Sequence, residues 1–166
     1  MKKIFFIVFL FLNQSQNIFS KEFKLQEAIN GLNSPWSLSF ISNDRVIATE
    51  KSGNLMLIDF NINEIKKIKH NLNILEDGQG GLLEVLYFKD QVFVSYSEDL
   101  KRGYSTTSVA KANFNENELN FQNIFRAEPP INSGYHFGSR LVIKDNLLYI
   151  TAGERGKGMI AQVPLK

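Results

Sequence analysis

The sequence predicts an all-β protein, specifically a β-propeller of which about two and a half four-stranded blades are present. Downstream of residue 20, short runs that alternate apolar and polar residues follow one another with turns between them, and no amphipathic helix interrupts them. Equivalent strands centre near Ile47, Val94 and Tyr149, close to the ~40–50-residue period of one propeller blade. This period favours a propeller, and a β-sandwich of similar strand count is the alternative.

The first repeat contains four predicted strands, with turn residues between them at positions 42–44 and 52–54. These strands are Trp36–Phe40, Arg45–Thr49, Leu55–Phe60 and Glu64–Lys69. The fourth run is rich in charged residues, and charge on an edge strand hinders pairing with other chains. We therefore expect Glu64–Lys69 to be the outer strand of the first blade.

The second repeat has four predicted strands, and the third has one hairpin before the chain stops at Lys166. The strands are Leu82–Phe88, Gln91–Ser97, Thr106–Phe114 and Leu119–Phe125, then Ser139–Ile143 and Leu147–Thr151. Propellers typically close with at least four blades. We therefore expect residues 21–166 to be the N-terminal part of a larger propeller domain, inactive by itself, or the product of a truncated gene.

The N-terminus has the three-part plan of a secretory signal peptide over residues 1–20. Lys2 and Lys3 precede an apolar run from Ile4 to Leu12, and a polar stretch ends at Ser20. The apolar run is far shorter than the ~20 residues that span a bilayer, although a short anchor is the alternative. The sequence predicts a periplasmic or secreted protein without a stable membrane span.

Composition narrows the possible partners of the mature chain. Cysteine is absent, so that no disulfide is available. The chain has 19 Lys and Arg against 17 Asp and Glu, and removal of Lys2 and Lys3 with the signal peptide leaves the two signs balanced. A neutral chain without a basic run argues against nucleic acid as a partner.

Glycine-containing loops recur just before the inner strand of each repeat, at residues 31–36, 77–83 and 134–140. Inner strands begin near the propeller axis, so we expect the three loops to converge on one pocket. Pro35-Trp36 in the first loop is expected to be a packing anchor, and Gly78–Gly81 in the second has a simple tight turn as its alternative. No helix follows the glycines, which excludes a phosphate-binding loop.

The third loop carries the main candidate for chemistry, His136, between Gly134 and Gly138. Glycine lets the backbone turn and lets a ligand approach closely, and histidine is the side chain best suited to take a proton near neutral pH. A buried or merely exposed histidine is the alternative interpretation. His70, the other histidine, lies among lysines and is expected to be exposed and without function.

Three segments together resemble one known family. GLNSPWSLSF, GQGGLLEV and GYHFGSRLVIKDNLLYITAGERG are similar in order and spacing to the soluble, pyrroloquinoline-quinone (PQQ)-dependent glucose/sorbosone dehydrogenases, which include the periplasmic aldose sugar dehydrogenases. The resemblance extends from about Lys24 to Gln162. It implies a six-bladed propeller and an oxidoreductase that acts on aldose sugars and passes electrons to an acceptor.

The resemblance also implies roles for individual residues. His136 stands where the family has its general base, which takes the proton of the anomeric hydroxyl while a hydride passes to PQQ. Gln79 matches a residue that contacts the sugar, and Arg155 stands where some members have a sugar-contacting glutamine. Tyr135 replaces an asparagine or aspartate and is expected to alter sugar selection.

The implied cofactors are PQQ and calcium, a Lewis acid that needs several oxygen ligands. Their binding residues lie in later blades of the family, so we assign no cofactor-binding residue and no metal ligand to this chain. A non-catalytic propeller binding module and a non-functional remnant are the competing interpretations. The set of His136, Gln79 and Arg155 favours the enzyme, because a binding module needs no proton acceptor at its axis.

Overall fold

The computed structural model describes residues 23–159, in which eleven β-strands form the regular structure up to residue 152. The strands are β1 (Pro35–Phe40), β2 (Arg45–Glu50), β3 (Leu55–Asp59), β4 (Glu64–His70), β5 (Leu82–Phe88), β6 (Gln91–Asp99), β7 (Ser105–Asn113), β8 (Glu118–Leu119), β9 (Gln122–Arg126), β10 (Gly138–Lys144) and β11 (Leu147–Ala152). The all-β prediction is confirmed. The predicted signal peptide, residues 1–20, lies outside the described residues. The described part of the chain has no helix long and apolar enough to cross a membrane.

The strands form two blades and a hairpin. The first blade has the order β1-β2-β3-β4, the second blade has the order β5-β6-β7-β9, and the third hairpin is β10-β11. Consecutive strands inside each unit pair antiparallel. Each unit is therefore a meander that starts at its inner strand, as the repeat predicts.

One predicted strand, Leu119–Phe125, is wrong as a single element. Glu118–Leu119 pairs in parallel with the end of β4 and so extends the first blade, whereas Gln122–Arg126 pairs with β7 in the second blade. Between them, the Asn71 side chain accepts a hydrogen bond from the Phe121 N–H at 2.8 Å and donates one to the Phe121 carbonyl at 3.1 Å. The amide takes the place of a strand partner, so the chain crosses between the blades with its backbone groups paired.

The main hydrophobic core lies between the first and second blades. It contains side chains from both units together with the crossing segment between β7 and β9: Ile47, Leu55, Leu57, Ile68, Leu82, Val85, Val92, Val94, Tyr96, Ala110, Ala112, Leu119 and Phe121. A smaller core of Phe93, Val109 and Leu141 joins the second blade to the third hairpin. Burial of apolar surface between neighbouring sheets is therefore the main force that fixes their packing.

The inner strand β1 alternates as predicted, but its polar side is the side that faces the second blade. The hydroxyls of Ser37 and Ser39 accept hydrogen bonds from backbone N–H groups of β5 at 3.3 and 2.9 Å. The opposite side carries Trp36, Leu38 and Phe40, which are 41%, 56% and 58% exposed. Trp36 is therefore not the buried packing anchor that we expected.

His70 is also placed differently from the prediction. It is half-buried, with its ring edge against Phe121 at 6.4 Å between centroids. Its Nε2 lies 2.7 Å from the Gly53 carbonyl, and its Nδ1 accepts the Leu72 N–H at 3.3 Å. Because a carbonyl can only accept, Nε2 carries the hydrogen. His70 is a structural residue that connects β4 to the turn before β3, not an exposed one.

Each inner strand has a bulge near its start, and a hydroxyl on the second strand of the same unit accepts an N–H there. In the first blade the ladder between β1 and β2 shifts between Pro35 and Ser37. Thr49 Oγ1 accepts the Ser37 N–H at 3.1 Å and donates to the Leu83 carbonyl of the second blade at 2.5 Å. One buried hydroxyl thus pairs the backbone N–H at the bulge and also donates a hydrogen bond to the next blade.

The same arrangement recurs in the later units. Ser95 Oγ accepts the Glu84 N–H at 3.1 Å and donates to the Ser139 carbonyl of the third hairpin at 2.6 Å. Thr151 Oγ1 accepts the Arg140 N–H at 2.8 Å. Among the described residues its only acceptor is the Arg140 carbonyl at 3.5 Å. Thr49, Ser95 and Thr151 are therefore equivalent positions of the repeat.

We expect Thr49→Val and Ser95→Ala each to lower the free energy of unfolding by about 1–3 kcal/mol, because each leaves a half-buried N–H and a buried carbonyl unpaired. Urea unfolding of the 166-residue chain measures the change. Thr151→Val is the matched control, since Thr151 is exposed and water can replace its hydroxyl. An equal loss in all three variants would contradict a role in joining the blades.

Candidate active site

The loops before β5 and β10 are in direct contact. We call Asp77–Leu83 the glutamine loop and Ser133–Arg140 the histidine loop. The Gln79 N–H donates to the Gly134 carbonyl at 2.7 Å, and the His136 N–H donates to Gln79 Oε1 at 2.9 Å. The structure therefore brings together Gln79 and His136, which are 57 residues apart.

The first predicted loop, residues 31–36, reaches this pair through Lys51. The Lys51 N–H donates to the Ser34 carbonyl at 3.0 Å, and its carbonyl accepts the Leu82 N–H at 3.1 Å. The Lys51 ammonium donates to the Gly78 carbonyl at 2.5 Å. Two of the three loops thus meet directly, and the first is connected to them by one residue.

The backbone at His136 has a left-handed conformation, with φ of 50°. This conformation turns the side chain outward, and 54% of it is exposed. The His136 carbonyl lies against Gly153, where a Cβ atom would be 1.9 Å from the carbonyl oxygen. Only glycine leaves room for this approach.

The His136 ring is bound to a carboxylate across the hairpin, with Nδ1 2.6 Å from Glu154 Oε1. This hydrogen bond is the main cause that lowers the pKa of the Glu154 carboxyl. An ionised carboxylate can only accept, so Nδ1 carries the hydrogen and Nε2 of the neutral ring is an acceptor. The site therefore presents an unprotonated imidazole nitrogen on a ring whose other nitrogen is hydrogen-bonded to an ionised carboxylate.

Glu154 is a candidate site residue that the sequence patterns do not indicate. It lies 18 residues after His136 in the GERG run, in which the family resemblance points only to Arg155. The signal that could have found it is the hairpin itself, because pairing of β10 with β11 places Gly138 opposite Ala152. The residues just outside that pair, His136 and Glu154, then lie side by side.

Gln79 and Tyr135 lie beside the histidine. Because Gln79 Oε1 accepts the His136 N–H, the NH₂ group of this exposed amide is the part left for a ligand, and it is a donor. Tyr135 is 60% exposed, and its ring centroid lies 6.4 Å from that of His136 at an interplanar angle of 71°. The structure therefore places a polar side chain against the backbone of His136 and an aromatic ring beside its imidazole.

Arg155, which the resemblance implies as a sugar contact, is buried. It is only 5% exposed, and it stacks on the Phe137 ring with Cζ 3.6 Å from the centroid. Its guanidinium donates to the carbonyls of Ser133, Tyr135 and Ser105 and to the Ser105 hydroxyl. Burial lowers the pKa of Arg155 to about 10, and the Asp77 charge acts in the opposite direction. The direct sugar contact of Arg155 has no support in this geometry and stays a prediction.

A match to the model of one protein family covers most of the length of this chain. The model of the glucose/sorbosone dehydrogenase family matches residues 32–165. The chain belongs to the glucose/sorbosone dehydrogenase family. The prediction made from the three sequence segments is thereby confirmed.

Relatives and solved structures agree with this family. The aldose sugar dehydrogenase of Escherichia coli K12 is 29% identical over 141 residues, which are 79% of this chain and 38% of that protein. A crystal structure of glucose dehydrogenase superimposes with a TM-score of 0.76 at 30% identity, over 82% of this chain and 43% of the other. A PQQ-bound aldose sugar dehydrogenase from Streptomyces coelicolor gives a TM-score of 0.72 at 20% identity, over 83% and 43%, and supports the propeller fold alone. The chain spans less than half the length of these proteins.

The described residues of this family member do not fit as the binding site of an anionic cofactor or a metal ion. Near His136, the Lys51 ammonium is bonded to a carbonyl, Arg140 is paired with Glu84, and Arg155 is buried. Within residues 23–159, no group of three or more His, Cys, Asp or Glu side chains could hold a metal ion.

Proposed function

We propose that this chain carries the proton acceptor and part of the sugar-binding surface of an exported quinoprotein that oxidises aldose sugars at the anomeric hydroxyl. The observation that carries the proposal is the hydrogen bond of 2.6 Å between His136 Nδ1 and Glu154, which leaves Nε2 as an exposed base. A propeller that only binds ligands has no need of a histidine oriented in this way. The relative in Escherichia coli named aldose sugar dehydrogenase supports the substrate class.

The chemistry of the chain itself is the removal of a proton. As the anomeric carbon is oxidised, the O–H bond of its hydroxyl breaks and the proton moves to His136 Nε2. The imidazolium that forms is stabilised by the Glu154 carboxylate, whose lowered pKa keeps it ionised near neutral pH. PQQ, the cofactor bound in the Streptomyces coelicolor aldose sugar dehydrogenase, supplies the two-electron acceptor when it is present.

The neighbours of His136 suit recognition of a sugar. The Gln79 NH₂ group can donate a hydrogen bond to a sugar hydroxyl oxygen, because its carbonyl is already bound to the His136 backbone. The exposed Tyr135 ring offers an apolar surface to the face of a sugar ring. We propose Gln79 and Tyr135 as substrate-binding residues on this basis.

We also propose that the protein is exported and that its activity requires calcium. The tripartite sequence of residues 1–20 supports a signal peptide and a periplasmic or secreted location. Calcium would act as a Lewis acid beside the cofactor, at oxygen ligands outside the described residues.

The proposal is tested with a chimera in which this chain replaces the matching part of the Escherichia coli relative, which supplies the rest of the propeller. We expect reduction of an electron-accepting dye when PQQ, calcium and an aldose are all present. Omission of each component in turn is the control. A chimera that unfolds cooperatively and binds PQQ but oxidises no aldose would contradict the proposal.

In the same chimera, we expect Glu154→Gln to lower turnover roughly 10²-fold, because the amide no longer fixes the tautomer or stabilises the imidazolium. Glu116→Gln, which removes a carboxylate bound to Arg45 at the outer edge, is the matched control and should leave turnover unchanged. Unchanged turnover in Glu154→Gln would show that Glu154 does not act on the base.

A further inference from the structure

The backbone of the histidine loop is held by many hydrogen bonds. Five consecutive carbonyl oxygens accept hydrogen bonds: those of Ser133, Gly134, Tyr135, His136 and Phe137. Arg155 supplies the donors for three of them. Its Nη2 binds the Ser133 oxygen, its Nε binds the Tyr135 oxygen at 3.0 Å, and its backbone N–H binds the His136 oxygen at 3.3 Å.

The other side of the guanidinium is fixed to the second blade. Arg155 Nη1 donates to the Ser105 carbonyl, and Nη2 donates to the Ser105 hydroxyl, both at 2.9 Å. Ser105 is itself buried at the start of β7. The planar group therefore bridges a rigid strand and the loop, with the Phe137 ring against one of its faces.

We propose that Arg155 is a positioning residue, which holds the histidine loop in the conformation that presents His136 to substrate. Two consecutive residues then act on different parts of the same histidine, since Glu154 binds the ring and Arg155 binds the backbone around it. The inference rests on the proposed function only in taking His136 as the base. Lysine cannot replace arginine here, because its donors all radiate from one nitrogen and cannot reach oxygens on two sides.

The left-handed backbone conformation at His136 explains why these contacts are needed. A non-glycine residue with φ of 50° persists only where its surroundings hold it. If the Arg155 contacts are lost, the loop can relax, and the ring no longer stays within hydrogen-bonding distance of Glu154. We therefore expect loss of the Arg155 contacts to let the His136 imidazole exchange between its two tautomers.

The test is Arg155→Lys in the 166-residue chain, observed by long-range ¹H–¹⁵N NMR of the imidazoles at a pH where both are neutral. The chain has two histidines, so His70 is an internal reference. In the unchanged chain we expect His136 to show a single tautomer with hydrogen on Nδ1. In the variant, both nitrogen signals of His136 should shift toward the averaged values of a free imidazole, while those of His70 stay in place.

Arg126→Lys is the matched control, because Arg126 pairs with Glu98 in the second blade and does not touch the histidine loop. It should lower the urea midpoint without shifting the His136 signals. If Arg155→Lys does not fold, Ser105→Ala replaces it: this variant removes one acceptor of the guanidinium, and a smaller shift in the same direction is expected.

Unchanged His136 signals in the folded Arg155 variant, or in Ser105→Ala where that one alone folds, would overturn the inference and leave Arg155 with a purely structural role. The outcome is independent of turnover. If the His136 signals shift in Arg155→Lys and the chimera is inactive, the positioning role of Arg155 is established and the proposed dehydrogenase function fails. If the chimera is active and the His136 signals do not shift, the dehydrogenase function stands and the positioning role fails.

Discussion

His136→Ala is expected to lower the aldose turnover of the chimera by about 10²–10⁴-fold, which is the usual contribution of a general base. The loss should appear in kcat, because the base acts on the proton in the transition state and contributes little to ground-state binding. Dye reduction over a range of aldose concentrations measures it. The β-type circular dichroism should be unchanged, since the side chain is 54% exposed and packs in no core.

The second histidine is the control, with the opposite expectation. His70→Gln removes an imidazole that binds the Gly53 carbonyl and the Leu72 N–H, neither of which belongs to the glutamine loop or the histidine loop. We expect it to lower the free energy of unfolding by about 1–2 kcal/mol and to leave turnover unchanged. Turnover that survives in His136→Ala, or that falls equally in both variants, would show that His136 is not the base.

Gly153→Ala is expected to reduce both stability and turnover. The new Cβ would lie 1.9 Å from the His136 oxygen and 3.1 Å from the Gly138 nitrogen, so the backbone of the histidine loop must move. We expect a loss of about 2–4 kcal/mol, at the upper end of what overpacking costs, because the clash is with backbone and cannot relax by a rotamer change. Urea unfolding gives the first quantity and dye reduction gives the second.

Gly158→Ala is a matched control for this change. No heavy atom within 4 Å would meet a Cβ at Gly158, although the residue lies only five positions further along the chain. It should change stability by less than about 0.5 kcal/mol, as surface substitutions usually do. A loss in Gly158→Ala similar to that in Gly153→Ala would contradict the steric explanation.

The strands were predictable because their alternation and turns are local properties of the sequence. Leu82–Phe88 has the predicted bounds, and the strand before the second turn ends one residue later than predicted, at Glu50. The break between β8 and β9 was not predictable in this way. Leu119, Phe121 and the apolar residues after them continue one pattern, and the interruption comes from Asn71, which is 50 residues away.

The candidate site was predictable in part for the same reason. Glycine-containing loops before inner strands indicated that Gln79 and His136 meet, and they do. The contact between His136 and Glu154 depends on hairpin register, and the burial of Arg155 depends on Ser105 in another blade. A charged residue between glycine residues has the local pattern of an exposed turn, so burial at such a position is decided by tertiary contacts alone.

The equivalent hydroxyl groups of Thr49, Ser95 and Thr151 also bear on the order in which the units of the propeller assemble. Thr49 donates to the second blade and Ser95 donates to the third hairpin, so each of the first two units pairs the N–H at its own bulge and donates a hydrogen bond to the unit that follows it. A ribosome releases the N-terminal units first. An earlier unit can therefore offer its hydroxyl hydrogen to one carbonyl of the next unit when that unit packs against it, which favours one register between the two.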